Sequence, residues 1–173
     1  MSDLIVAAEG PGATQGIAEI EGRRFRCALG RGGIIAAKRE GDGGTPVGVF
    51  PLRRLLYRPD KGGAPRTLLA TSPIRAEDGW CDQPEHPAYN RPVTLPFAAS
   101  HEKMWRDDHL YDLVLVIGHN DDPVLPFMGS AVFVHLAHAD YRPTEGCIAF
   151  ARDDLEAILG ALTPDARMVV REP

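Results

Sequence analysis

Short apolar runs separated by turn residues dominate the hydrophobic pattern of this chain. Most of its 18 glycines and 15 prolines fall in the first 130 residues. Frequent breakers with short apolar segments between them are typical of a β-rich fold with many turns. The pattern predicts strands at residues 4–8, 24–29, 33–37, 49–57, 113–117, 131–135 and 166–171.

Two of these predicted strands differ in how they should be buried. In residues 24–29, Phe25, Cys27 and Leu29 alternate with other residues at period two, which predicts one buried and one solvated face. Residues 113–117 are continuously apolar, as in a strand that is buried on both faces.

The clearest helical pattern lies near the end of the chain. Its apolar stripe has i, i+3, i+4, i+7 spacing and consists of Leu155, Ile158, Leu159 and Leu162. Asp153 is the predicted N-cap, and Thr163-Pro164 should end the helix. A second short helix is expected near residues 99–105, and residues 59–96 should form long loops over the sheet. The predicted fold class is mostly β with one or two short helices.

Composition narrows the partners and the location. A length of 173 residues fits one domain, residues 1–173, and 44% hydrophobic with 25% charged residues is typical of a globular protein. The net charge of -5 argues against nucleic acid as a partner. No apolar run is long enough for a membrane span, and residues 1–10 lack the basic segment of a signal peptide. The sequence alone therefore predicts a cytoplasmic monomer.

Cys147 is the main candidate for chemistry among the three cysteines, whose odd number and wide spacing do not suggest a disulfide framework or a metal site. Gly146 before it allows a positive φ, and such a turn can aim backbone N–H groups at an oxyanion. His135 ends a predicted strand 12 residues earlier, so a loop could bring its imidazole to the thiol as a base. The alternative is a buried structural cysteine and an unrelated histidine.

Two separate motifs resemble the L,D-transpeptidase catalytic domain (YkuD) family. Residues 129–135 (Gly-Ser-Ala-Val-Phe-Val-His) followed by 144–148 (Thr-Glu-Gly-Cys-Ile) are similar to its strand-His and Ser-His-Gly-Cys signature. Residues 45–50 (Thr-Pro-Val-Gly-Val-Phe) resemble its Thr-Pro-x-Gly-x-Phe stretch. Further segments resemble small stand-alone members of the family: 38–42 (Lys-Arg-Glu-Gly-Asp), 79–82 (Gly-Trp-Cys-Asp) and 89–91 (Tyr-Asn-Arg).

The resemblance implies a mixed β-sandwich with a helix packed after the cysteine, and peptidoglycan cross-linking as its chemistry. Cys147 would attack a stem-peptide carbonyl to form a thioester, with His135 as base and later acid. Backbone N–H groups of Gly146 and Cys147 would form part of the oxyanion hole. No metal or organic cofactor is implied. An amine acceptor would complete a transpeptidase reaction, and water would complete an L,D-carboxypeptidase reaction.

The chain also departs from the family pattern. Glu145 stands where the family usually has His, Thr144 stands for Ser, and Ala149 stands for Arg. Glu145 could point to solvent, pair with Arg142 or hold His135. Arg26 or Arg152 could replace the missing arginine. The candidate substrate-binding residues are Arg26, His119, His138, Thr144 and Glu145.

These departures keep other functions open. The chain could be an inactive relative that binds peptidoglycan peptides, or a cytoplasmic thiol amidase acting on muropeptides. The family acts outside the cytoplasmic membrane, so the resemblance implies a periplasmic or cell-wall location. Zinc bound by His119, His135 and His138 is a further option, which the spacing does not favour.

Overall fold

The computed structural model describes residues 2–173, so that Met1 lies outside the described residues, and it confirms the mostly β prediction. The described part contains fourteen strands and one helix. In chain order these are β1 (Leu4–Ala8), β2 (Gln15–Ile20), β3 (Arg23–Ala28), β4 (Ile34–Ile35), β5 (Thr45–Pro46), β6 (Gly48–Tyr57), β7 (Thr71–Pro73), β8 (Asp78–Cys81), β9 (Pro92–Thr94), β10 (His101–Lys103), β11 (Leu113–Ile117), β12 (Phe133–Leu136), β13 (Ile148–Phe150), α1 (Arg152–Ala161) and β14 (Arg167–Val170).

The main sheet contains nine strands in the order β11-β12-β13-β3-β2-β1-β14-β6-β7. An additional pairing joins β11, at one end of this order, to β6, the last strand but one, so all of these strands except β7 form a closed ring. The length of β6 makes this closure possible. Residues 48–51 of β6 pair with β14, and residues 52–57 pair with β11. Closure leaves the ring without a free edge and gives it an inside and an outside.

Strand β11 separates two hydrophobic clusters. Leu113, Leu115 and Ile117 belong to the main core inside the ring, which also receives Leu155, Ile158 and Leu159 of α1. Val114 and Val116 point to a second cluster outside the ring. The prediction of a strand buried on both faces is therefore confirmed.

A small three-stranded sheet, β10-β8-β9, supplies the outer partner of this second cluster. Trp80 of β8 packs edge-to-face on Phe133 of β12, with ring centroids 4.9 Å apart. An aromatic pair of this kind contributes about 1 kcal/mol beyond area burial. Because side chains alternate along a strand, His135 lies on the same face of β12 as Phe133. The small sheet thus forms one wall of a cleft whose other wall carries His135.

Several element predictions were wrong in instructive ways. Residues 99–105 contain strand β10 instead of a helix, because pairing with β8 satisfies their backbone. Ala151, without a side-chain hydrogen bond, is the N-cap of α1, and Asp153 lies in the first turn. There its negative charge interacts favourably with the positive end of the helix dipole. Residues 59–96, predicted as long loops, contain the short strands β7, β8 and β9 between loop segments. Strands β2 and β13 were not predicted from the sequence.

Asn90 joins the small sheet to the main one. Its Oδ1 accepts hydrogen bonds from Trp80 Nε1 and from Ala131 N, each at 3.0 Å. Its Nδ2 donates to the carbonyl oxygens of His119 (3.1 Å) and Asn120 (2.8 Å). The residue is buried and has a φ of 54°, a conformation that asparagine tolerates better than most residues. One amide therefore satisfies four polar groups from three segments.

We expect Asn90→Gly to lower the free energy of unfolding by about 3 kcal/mol, since glycine keeps the positive φ but leaves buried donors and acceptors without partners. Glu21→Gly is the matched control, because Glu21 also has a positive φ (51°) but is exposed. The control should change stability by less than about 0.5 kcal/mol. Urea titration of both variants measures the difference, and equal midpoints would contradict the role given to Asn90.

Candidate active site

The turn before Cys147 depends on a close approach of backbone segments. Gly146 has a φ of 136°, and a Cβ atom there would lie 2.8 Å from the carbonyl oxygen of Gly44. The buried hydroxyl of Thr45 donates to the carbonyl oxygen of Gly146 and accepts from the N–H of Gly30, each at 2.9 Å. Glycine is therefore required at position 146 for both conformation and space. Thr45 links the two motifs that carry the family resemblance.

Cys147 lies at the inner end of this turn, and the residue is only 8% exposed. Phe133 N–H donates to Sγ at 3.3 Å, and the thiol donates to the carbonyl oxygen of Ala131 at 3.2 Å. Ala131 has a φ of 51°, and its N–H is held by Asn90. The same asparagine that joins the two sheets therefore also supports the carbonyl that the thiol contacts.

Burial raises the pKa of the Cys147 thiol to about 12, and the charge of Glu102 adds to the increase. The hydrogen bond from Phe133 N–H and the charges of Lys38 and Arg106 act in the opposite direction. A group whose pKa is raised this far is protonated near neutral pH. Cys147 is therefore a neutral thiol at rest, and a base has to remove its proton when it reacts.

His135 has the properties of such a base. Burial lowers its pKa to about 4, so the imidazole is neutral near pH 7. Its Nδ1 lies 2.8 Å from the carbonyl oxygen of Leu136. A carbonyl can only accept, so Nδ1 carries the proton and Nε2 has a free lone pair. The ring of Tyr111 packs against the imidazole with centroids 5.4 Å apart and restricts its orientation.

One cavity of about 430 Å³ brings most of the predicted site residues together. Its lining includes Thr144, Glu145, Gly146, Cys147, His135 and His138. Two predicted substrate-binding residues lie outside this lining. Arg26 stacks on Tyr141 at 4.1 Å and donates to Gln15. His119 packs against Phe50, and its Nε2 lies 3.2 Å from the carbonyl oxygen of Met128.

The residues that depart from the family pattern have local roles. Glu145 points to Arg31, with an N–O distance of 2.9 Å, and contacts neither Arg142 nor His135. The Thr144 hydroxyl donates to the carbonyl oxygen of Cys147 (2.6 Å) and accepts from Gly146 N–H (3.1 Å). Gly146 N–H is thus already used within the turn. Ala149 is buried in the sheet opposite Ala28, where β13 pairs with β3.

Six charged or aromatic residues also line the cavity but were not among the candidate site residues: Lys38, Glu40, Asp82, Glu102, Arg106 and Tyr111. Lys38 and Arg106 are the lysine and arginine that line the cavity. Arg152, offered as a substitute for the missing arginine, pairs with Asp112 and Glu156 and is not part of the lining. Segments 38–42 and 79–82 carried a signal, because they resemble stand-alone family members. Nothing local marked Glu102, Arg106 or Tyr111. Glu102 is placed by the pairing of β10 with β8, and Arg106 and Tyr111 lie in the segment between β10 and β11.

Comparison with known proteins identifies the family of the chain. The family model described as L,D-transpeptidase catalytic domain (YkuD) matches residues 18–170. The chain belongs to this family. No curated protein and no solved structure matches the chain. Cys147 and His135 both lie within the range that the L,D-transpeptidase model matches.

Two properties of the described residues bear on partners of this L,D-transpeptidase family member. No helix among residues 2–173 is long and apolar enough to cross a membrane. Those residues also contain no group of three or more His, Cys, Asp or Glu side chains that could hold a metal ion.

We expect the alkylation of Cys147 by iodoacetamide to rise about tenfold per pH unit through pH 10, because the reactive thiolate stays a minor species below a pKa of about 12. Peptide mass mapping follows the site. Cys27 is an internal control, since burial also raises its pKa to about 12 but it lies in the main core. Its labelling should stay slower, and a plateau for Cys147 below pH 8 would contradict the neutral thiol.

Proposed function

We propose that residues 1–173 form one catalytic domain that acts as an L,D-transpeptidase on peptidoglycan stem peptides, through a thioester on Cys147. The observation that carries this proposal is the shared cavity of Cys147 and His135. His135 has its Nε2 lone pair free, and Cys147 lies in a glycine-dependent turn at the motif position of the family. A periplasmic or cell-wall location follows from the same proposal.

The first half-reaction transfers the acyl group to sulfur. His135 Nε2 takes the thiol proton, and Sγ attacks the carbonyl carbon of an L-centre residue in a tetrapeptide stem. We assign the developing oxyanion to the Cys147 N–H, because Gly146 N–H already donates to the Thr144 hydroxyl. The C–N bond then breaks, and the imidazolium returns its proton to the departing amine. The terminal D-amino acid leaves, and the thioester remains.

The second half-reaction resolves the thioester. A side-chain amine of another stem attacks the carbonyl, His135 accepts a proton from it, and the sulfur leaves and is reprotonated. This forms the cross-link. With water in place of the amine, the same steps give an L,D-carboxypeptidase. No step requires a metal or an organic cofactor.

A carbapenem, which is a reactive acyl donor, should add its mass to the intact wild-type protein. Cys147→Ala should show no adduct. Cys81→Ala is the matched control, because Cys81, the last residue of β8, is also a buried free thiol, and this variant should retain the adduct. His135→Gln should slow acylation about a hundredfold or more, the usual contribution of a general base. An adduct that persists in Cys147→Ala would overturn the proposal.

A second candidate is an inactive relative that binds cell-wall peptides. It is favoured by the hydrogen bond from the thiol to the Ala131 carbonyl, which holds the proton away from the imidazole. It predicts binding of a tetrapeptide by the wild type without release of the terminal residue, and equal affinity in Cys147→Ala. Calorimetry together with chromatography of the peptide separates this candidate from the enzyme.

A further inference from the structure

Lys38 is a buried cation in the wall of the cavity that Cys147 lines. Its side chain is only 8% exposed, and lysine is almost never buried to this extent unless its charge is paired. Asp42 supplies the pairing carboxylate, with Oδ1 2.6 Å from Nζ, and the carbonyl oxygen of Arg39 accepts a second hydrogen bond at 3.0 Å. The ammonium group is therefore held in place before any substrate arrives.

The third N–H of this ammonium group has no acceptor among residues 2–173. A lysine ammonium has three donors, and the hydrogen bonds to Asp42 and Arg39 use two of them. Both acceptors belong to the loop that follows Lys38. The turn of the nucleophile is also close to Nζ, because a Cβ built on Gly146 would lie 3.6 Å from that atom. One donor is thus available beside the turn that carries Cys147.

Two glycines make the room that the Lys38 side chain occupies. A Cβ on Gly129 would lie 3.2 Å from Cε and 3.3 Å from Cγ of Lys38, and Gly146 leaves the space next to Nζ. Both glycines have positive φ values, 105° and 136°, which other residues rarely adopt. The segments before β12 and β13 therefore approach the lysine side chain closely and hold its ammonium group near the nucleophile.

The tetrahedral intermediate requires a donor besides the backbone of this turn. Oxyanion holes stabilise the developing charge with several preorganised donors. Gly146 N–H already donates to the Thr144 hydroxyl at 3.1 Å, which leaves the Cys147 N–H as the donor from the turn. The ammonium group of Lys38 adjoins the same turn, and a charged donor forms a stronger hydrogen bond than a neutral one.

We propose that Lys38 completes the oxyanion hole, by donating its third N–H to the oxygen that becomes negative when Cys147 attacks a carbonyl carbon. The inference rests on the proposed function for the acyl-transfer reaction and adds a catalytic residue to it. As the Sγ–C bond forms, the carbonyl π electron pair moves to the oxygen and the thiol proton moves to His135 Nε2. When the C–N bond breaks, the pair returns to form the carbonyl. The lysine stays protonated throughout.

Lys38 acts on the reaction more than on the resting thiol. Its charge lowers the pKa of Cys147, but burial outweighs this effect and the pKa stays at about 12. An oxyanion that contacts the ammonium group gains a charge-assisted hydrogen bond that the resting thiol lacks. Loss of Lys38 should therefore slow reactions that pass through an oxyanion far more than reactions that do not.

The test compares acylation of Cys147 by a carbapenem, which passes through a tetrahedral oxyanion, with alkylation by iodoacetamide, which does not. Lys38→Met should slow acylation about a hundredfold, the usual cost of losing one oxyanion-hole donor. It should slow alkylation by no more than about fivefold, through the thiol pKa alone. Arg39→Met is the matched control, because Arg39 is the neighbouring cation but is exposed, and it should keep both rates. Unchanged acylation in Lys38→Met, or an equal loss of both reactions, would contradict the proposal.

A small trifluoromethyl ketone distinguishes failure of this inference from failure of the proposed function. Its carbonyl carbon adds to the thiol without a leaving group, and the oxygen of the resulting hemithioketal ionises in a way that the fluorine NMR signal reports. Lys38→Met should raise the pH midpoint of this ionisation by about one to two units, since it removes the positive charge beside the oxygen. An unchanged midpoint overturns the oxyanion role, whether or not any stem peptide is turned over.

The competing role for the same ammonium group is binding of the terminal carboxylate of the stem. It predicts that Lys38→Met slows thioester formation only with a free C-terminal carboxylate, whereas the oxyanion role predicts the same loss with the C-terminal amide. A loss confined to the carboxylate peptide therefore overturns the proposal. Lys38→Gln removes the charge but retains N–H donors, and it carries the same comparisons if Lys38→Met does not fold.

Discussion

The hydroxyl of Thr45 holds together the backbone on which the site depends. It bonds to the carbonyl of Gly146 and to the N–H of Gly30, and around it three glycine-containing segments approach so closely that side chains would collide. A Cβ on Gly30 would lie 2.1 Å from the carbonyl oxygen of Gly43. Contacts of this kind fix the position of Cys147 to within the tolerance of backbone packing, without any covalent constraint.

The outer cluster supplies the second half of the site. It exists because β11 is apolar on both faces and β12 adds Phe133 to the outer face, so this apolar surface needs a cover. The small sheet provides that cover through Trp80, and Asn90 fastens it to both the indole and Ala131. A loop region that looked irregular therefore has a packing role. By the same contacts it brings Asp82 and Glu102 to the cavity that Cys147 lines.

Much of this fold could be predicted from the sequence, but less of the candidate site could. Continuous burial of Leu113–Ile117 could be recognised because it depends only on local composition. The left-handed turn at Gly146 could be anticipated because few residues besides glycine adopt it. Glu102 could not be found in this way. Glu102 lies in a strand of only three residues, and the direction of its side chain depends on the pairing of that strand with β8, where Trp80 is its partner. A helix predicted there shows how weak a local pattern is against tertiary pairing.

The electrostatics of the cavity connect these observations. A site built to hold a thiolate at rest would surround its sulfur with cations, as low-pKa cysteines require. Here Lys38 and Arg106 are paired with Asp42 and Asp108. Three carboxyl groups that line the same cavity form no ion pair with a described residue: Glu40, Asp82 and Glu102. The protein thus places a neutral thiol and a neutral imidazole in a field that disfavours the charged pair. The thiolate can therefore form only when a base removes the proton during the reaction, which is the role that the proposed function gives to His135.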